Sequence, residues 1–355
     1  MTQATDINPE KSDITQAENS ALGTETQSMR LSHRDNAAHS PNRYASELDL
    51  HNDAEALIWE RAKHSKLEIS AEVSLAYLVL ENPLSSQAIV LSNGRVESYL
   101  KYRELICDCY RQGFSVYAVD HRGQGLSSRL SANPHIGHVN RFDDYIDDFS
   151  VFIDKVVSPA SHSKRFLVAH SMGGAIATLF MAKHPDYFDA AVLSAPMYGI
   201  KLPLKKSFIY WLANKLDSCN RHAAPNYVLG GKGYLPEPFV NNVLTHSEPR
   251  YVDYRALYLT TPQLQLGSPS NRWLTESITA GDRCVQAASK IATPILILQA
   301  SADTVVDNLA QNLSVGGHCQ LEIIHGAKHE IFMEIDAIRN QALDSLFNFL
   351  TQQAV

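Results

Sequence analysis

The chain has 355 residues, 45% of them hydrophobic and 19% charged, with a formal net charge of −7. That is long enough for one large domain carrying an insertion, and the acidic balance argues against a nucleic-acid partner, because phosphate backbones are held by a basic surface. No stretch of eighteen apolar residues occurs, which excludes a membrane-spanning helix, and five cysteines with no C-x-x-C pair read as free thiols in a reducing compartment.

Residues 1–50 are rich in Ser, Thr, Asn, Gln, Asp and Glu and have no aromatic before Tyr44. Such a segment cannot bury enough surface to offset its ordering entropy, so a disordered tail is expected. Residues 1–20 hold neither an apolar run nor a basic start, so a cytoplasmic protein is expected. A helical turn is read around Ala54 to Ala62. Leu67, Ile69, Val73, Leu75, Tyr77 and Val79 fall at odd positions, as in half-buried strands.

Short apolar runs then alternate with helical patterns. Ala88–Leu91, Val116–Val119, Phe166–Ala169, Ala190–Leu193, Ile295–Leu298 and Leu321–Ile324 read as strands. Tyr99–Gln112 reads as a helix capped by Gly113, and Met172–Lys183 as one stopped before Pro185. The apolar face of Phe142 to Val156 and the run Ala337–Leu350 read as further helices. This alternation predicts a mostly parallel sheet covered by helices on both faces. Between Pro196 and about Ala287 no strand is evident, so a mainly helical cap is expected there. The expected organisation is a tail over 1–50, a core over 51–196, a cap over 197–287 and the rest of the core over 288–355.

The segment Phe166-Leu-Val-Ala-His-Ser-Met-Gly-Gly174 runs an apolar strand into a serine with small residues two before and two after it. A helix follows at once. This is a nucleophile elbow, in which Ser171 stands at the end of the sheet and the amide of Met172 faces a developing oxyanion. Small side chains at Ala169 and Gly173 are expected to avoid a collision across the tight turn.

A serine hydroxyl needs a neutral imidazole to take its proton. The loop after Ile295–Leu298 offers Asp303 and Asp307, and the loop after Leu321–Ile324 offers His325 and His329. His325 abuts its strand and reads as a packed strand-end residue, whereas Asp307 reads as a helix cap. His329 is therefore read as the general base and Asp303 as the residue orienting it. The loop after Ala88–Leu91 contains Gly94, which lets the backbone pass close to substrate, and the Arg95 amide as second oxyanion donor. The Arg95 side chain is read either as a contact for an anionic headgroup or as a surface ion pair with Glu97. No metal or organic cofactor is called for.

Taken together, Asn93-Gly-Arg-Val-Glu-Ser-Tyr, Asp120-His-Arg-Gly-Gln-Gly-Leu-Ser127, Gly137-His-Val-Asn-Arg-Phe142, Ala169-His-Ser-Met-Gly-Gly174 and Gly326-Ala-Lys-His-Glu330 resemble the lysophospholipase L2 and monoacylglycerol lipase family of α/β-hydrolases. The resemblance covers roughly residues 60–350. It implies an α/β-hydrolase fold, hydrolysis of the ester of single-chain lipids through Ser171, Asp303 and His329, an oxyanion hole from the Arg95 and Met172 amides, acyl transfer, and peripheral contact with the inner face of the cell membrane. Where monoacylglycerol lipases commonly begin this loop with His-Gly, Asn93 stands in the histidine's place. A lysophospholipid is the expected substrate, with a monoacylglycerol lipase, a general carboxylesterase and an inactive binding protein as the competing readings. Met197, Tyr198, Phe208 and Trp211 are expected to line an apolar pocket, Arg95 or Arg250 to meet a phosphate, and Lys205 and Lys206 to help the cap meet a membrane surface.

Overall fold

The computed structural model of the chain describes residues 43–219 and 224–354. Of the tail expected over residues 1–50, residues 1–42 lie outside them, but Tyr44–Leu50, assigned to that tail, packs on the folded unit. Tyr44 stacks on Phe347 at 5.8 Å, and the Ala45 amide donates to Asp108 at 2.9 Å. Ser46 donates to Asp336 at 2.5 Å. One aromatic and a few polar groups suffice to dock so short a segment, and averaged composition over fifty residues hides them.

Helix α1 (Asp53–Trp59) starts at Asn52, whose side chain accepts from the Glu55 amide. It leads into the antiparallel hairpin β1 (Lys63–Glu68) and β2 (Ser74–Leu80). Then follow β3 (Gln87–Ser92), a 3₁₀ turn over Tyr99–Tyr102, α2 (Arg103–Arg111), β4 (Ser115–Val119), α3 (Asp143–Phe152), β5 (Lys164–His170), α4 (Met172–Lys183) and β6 (Ala190–Ser194). The insertion contributes α5 (Lys206–Cys219), α6 (Glu248–Thr260) and α7 (Asn271–Ala287). The chain closes with β7 (Ile295–Ala300), α8 (Asn308–Asn312), β8 (Cys319–Ile324) and α9 (Asp336–Gln353).

The strands form one eight-stranded sheet in the order β1-β2-β4-β3-β5-β6-β7-β8. Only β1 and β2 run antiparallel to their neighbours. Every residue of β4, β6 and β7 is buried, because helices cover a parallel sheet on both faces and leave no polar side to alternate with. This is the α/β-hydrolase arrangement that the strand–helix alternation predicts. β2 departs from the expected pattern: Ala76, Leu78 and Leu80 are buried, whereas Tyr77 and Val79 are half-buried. Both faces of that strand are apolar, so the odd positions carry no special weight.

Helix α4 packs against both α3 and α7, and a buried Arg339–Asp108 ion pair at 2.8 Å ties α9 to α2. Helix α7, at the end of the expected cap of 197–287, packs both on α5 of the insertion and on α4 of the core. Cys284 of α7 donates to the Ala175 carbonyl of α4 at 3.5 Å, and a Cβ at Gly281 would lie 2.6 Å from the Tyr198 carbonyl oxygen. Helical periodicity alone cannot tell a helix covering the sheet from one standing over its edge.

Candidate active site

Ser171 stands between β5 and α4 at φ 52° and ψ −116°, a region that residues with side chains seldom occupy. Its amide donates to the Ser194 carbonyl at 3.0 Å, and its carbonyl accepts from the Met197 amide at 2.9 Å. The turn is thus clamped by the strand beside it. Gly173 is required here, but for a different reason from the one expected. A Cβ there would meet the Ser92 carbonyl oxygen at 2.2 Å, so the clash lies with the end of β3 rather than with Ala169.

The loops after β7 and β8 bring two further groups to this serine. His329 Nε2 lies 3.0 Å from Ser171 Oγ, and His329 Nδ1 lies 2.8 Å from Asp303 Oδ2. The other Asp303 oxygen accepts from the amides of Val305 and Val306 at 2.7 and 3.0 Å. Burial would raise the Asp303 pKa, but the hydrogen bond and charge of His329, with those two amides, outweigh it and hold the carboxyl below its usual value. All three residues are buried. With Asp303 holding Nδ1–H, Nε2 is left to accept the serine proton, the arrangement that activates a hydroxyl for attack on a carbonyl.

The competitors are placed elsewhere. Asp307 caps α8 by accepting from the Leu309 amide. His325 is exposed rather than packed, because β8 is an edge strand whose end faces solvent. His170, beside Ser171, packs against His329 with ring centroids 4.7 Å apart and the rings tilted by 55°. Burial lowers its pKa to about 4, so this second imidazole stays uncharged.

On the other side of Ser171 runs the loop after β3. A Cβ on Gly94 would come within 2.9 Å of the His170 ring and 3.2 Å of the Ser171 Cβ, so only glycine lets the loop lie this close. Neither the Arg95 nor the Met172 amide is used by a backbone hydrogen bond among the described residues. The loop is braced by groups the sequence reading did not single out. Gln124 donates to the Gly94 carbonyl at 2.6 Å. Asn93 donates to Asp120 at 2.9 Å, and Ser98 and the amides of Tyr99 and Leu126 add three more donors to that carboxylate. Burial pushes Asp120 up to about 6 against those donors. The Asp120-His-Arg-Gly-Gln-Gly run was the available signal: a Cβ on Gly125 would sit 2.1 Å from Asp120 Oδ2. Glu97 accepts from the Gly94 amide at 2.6 Å, from Tyr102 at 2.6 Å and from Lys101 at 2.8 Å. Lys101 also donates to Glu330 at 2.6 Å. Glu97 is therefore occupied, and no Arg95–Glu97 ion pair forms.

Ser171 and His329 open into a cleft of about 390 Å³ whose apolar wall includes Met197, Ile200, Leu274 and Val306. Of the expected pocket residues, Met197 is on that wall and three are not. Tyr198 is buried with its hydroxyl 2.6 Å from Thr178 Oγ1; one residue beyond Met197, it turns toward α4 and α7. Phe208 and Trp211 are about half exposed and pack against each other, tilted, with ring centroids 5.9 Å apart on the outer side of α5. Arg250 is fully buried and held by Glu104 and Asp336, so it faces no substrate.

Residues 84–336 match the family model described as serine aminopeptidase, S33. The chain is 38% identical over 304 residues to lysophospholipase L2 of Escherichia coli strain K12, covering 83% of this chain and 89% of that protein. It is 27% identical over 242 residues to the monoglyceride lipase of Homo sapiens, covering 64% and 75% respectively. A soluble variant of monoglyceride lipase from Saccharomyces cerevisiae, solved with a substrate analogue, superposes with a TM-score of 0.64 at 17% identity, over 82% of this chain and 96% of that one.

Proposed function

The chain belongs to the S33 serine aminopeptidase family of α/β-hydrolases, and within that family we propose that it is a lysophospholipase, cleaving the carboxylic ester of single-chain lipids. The observation that carries the reading is the relay from Ser171 Oγ to His329 Nε2 and from His329 Nδ1 to Asp303, opening into a single mostly apolar cleft. Ser171 attacks the ester carbonyl as His329 takes its proton, and the Arg95 and Met172 amides hold the oxyanion. His329 returns the proton to the departing glycerol oxygen. Water, deprotonated by the same imidazole, then frees the fatty acid from the acyl-serine. A lipid alcohol in place of that water gives acyl transfer.

Each buried methylene contributes about 0.8 kcal/mol, so one long chain in the cleft supplies ample binding energy. Rates on oleoyl lysophospholipid, monoacylglycerol and diacyl phospholipid test the reading. We expect the lysophospholipid to be cleaved fastest and the diacyl lipid slowest. Faster diacyl cleavage would refute the one-chain claim, and a clear monoacylglycerol preference would make the chain a monoacylglycerol lipase.

The reading extends to peripheral membrane contact through α5. Leu204, Phe208, Trp211 and Leu216 are exposed, with Lys205, Lys206 and Lys215 among them. Apolar side chains beside lysines suit an anionic lipid surface. Among the described residues no helix is long and apolar enough to cross a membrane. Lys205→Glu with Lys206→Glu is expected to weaken binding to anionic vesicles while a short soluble ester is still hydrolysed at the parent rate. Equal vesicle binding by variant and parent would remove the membrane role.

A further inference from the structure

Two arginines, Arg95 and Arg255, line the same cleft as Ser171 and His329. The fully buried arginines elsewhere are neutralised: Arg250 pairs with Glu104 and Asp336, and Arg339 with Asp108 and Glu104. Neither Arg95 nor Arg255 has a carboxylate within ion-pair distance among the described residues. In both, the guanidinium Nε is buried without a hydrogen-bond partner.

Aromatic faces hold the two groups in place. Arg95 lies over the Trp273 ring, 5.0 Å from its centroid, and donates to the Gly267 carbonyl. Gly137 makes room for it, since a Cβ there would come within 2.8 Å of the Arg95 Nη2. Arg255 lies 5.2, 5.7 and 5.8 Å from the centroids of Tyr234, Tyr251 and Tyr254. Such contacts orient a cation without cancelling its charge. Burial lowers the Arg95 pKa to about 10, which still leaves it charged at neutral pH.

Lys101 is shared by the two carboxylates Glu97 and Glu330, and Asp303 is hydrogen-bonded to His329. Arg95 and Arg255 are therefore the cations of the cleft that meet no carboxylate among the described residues. A partly desolvated cation with no counter-ion is unfavourable, and an anion entering the cleft relieves that cost.

We propose that Arg95 and Arg255 form a subsite for the phosphodiester of the substrate headgroup, anchoring it so that the ester carbonyl reaches Ser171. The proposal rests on the esterase reading above. A phosphodiester carries a full negative charge on two non-bridging oxygens, which fit the guanidinium fork. The glycerol of a monoacylglycerol offers only hydroxyls. The Arg95 backbone serves the oxyanion while its side chain serves the headgroup, so the two sites are fixed relative to each other by one residue.

The test compares kcat/KM for 1-oleoyl lysophosphatidylethanolamine and 1-oleoylglycerol in the parent, Arg255→Gln and Arg255→Lys. In Arg255→Gln the ratio of lysophospholipid to monoacylglycerol rates should fall by about tenfold to a hundredfold, the effect of losing a hydrogen bond to a charged group. Arg255→Lys should recover part of that ratio by keeping the charge. Arg95→Gln should lower the same ratio and guards against an effect peculiar to α6. An unchanged ratio in both glutamine variants, with the parent active on either ester, overturns the subsite alone. A parent inactive on both esters overturns the esterase reading itself. If inorganic phosphate inhibits the parent and not Arg255→Gln while the ratio stays constant, the pair binds a free anion and the headgroup assignment is overturned.

Discussion

Replacing Ser171 with alanine is expected to lower ester hydrolysis by on the order of 10⁴ or more while leaving the thermal midpoint close to that of the parent. The large effect follows from the geometry. Ser171 Oγ is the atom 3.0 Å from His329 Nε2, and the remaining cleft groups can bind and polarise an ester but have no nucleophile to offer. The small structural effect follows from the elbow. The strained backbone at φ 52° is held by the bonds to Ser194 and Met197, which alanine keeps, and alanine is no worse suited to that φ than serine. Hydrolysis of a short soluble ester, unfolding by circular dichroism and labelling by a fluorophosphonate probe together check the claim. A folded variant that retains a tenth of the activity would remove Ser171 from its assigned role. Labelling of the parent at another serine would do the same.

Much of this fold is legible in the sequence because each parallel strand is a short apolar run between turn signals. The reading of Met172–Lys183 as a helix agrees with α4 residue for residue, since the elbow fixes one end and the approach to Pro185 the other. What stayed hidden depended on three-dimensional neighbours. Tyr198 and Met197 adjoin in sequence, yet one packs between helices and the other lines the cleft. Phe208 and Trp211 have the composition of pocket residues but stand on the outside of α5, and hydrophobicity alone cannot distinguish a lining from an outer face. Arg95 and Arg250 are both arginines near glutamates in sequence. Only the packing shows that Arg250 is neutralised by Glu104 and Asp336 while Arg95 is not. The network on Asp120 was hidden for a similar reason, since its donors come from the loop after β3 and the turn at Leu126.

Asp303→Asn is expected to lower kcat by up to about 10⁴, and Asp307→Asn to leave it within about threefold. Asp303 is the residue whose oxygen meets His329 Nδ1 at 2.8 Å. An amide at that position can present its NH₂ to Nδ1, which then favours the tautomer with the proton on Nε2. That proton would point at Ser171 Oγ, and the imidazole could no longer accept from it. Asparagine can keep the bonds from the Val305 and Val306 amides through its carbonyl oxygen, so the loop should hold its shape and the loss should appear in kcat more than in stability. The charge matters as well. The carboxylate, held ionised below its usual pKa, stabilises the imidazolium that forms as Ser171 attacks, and a neutral amide cannot. Asp307 makes a different kind of contact. It accepts from the Leu309 amide at the start of α8, and asparagine caps a helix about as well as aspartate. Both aspartates lie on one loop four positions apart, so the pair separates the relay from the loop that carries it. If Asp307→Asn proves the more damaging of the two, Asp303 is not the partner of His329 in catalysis.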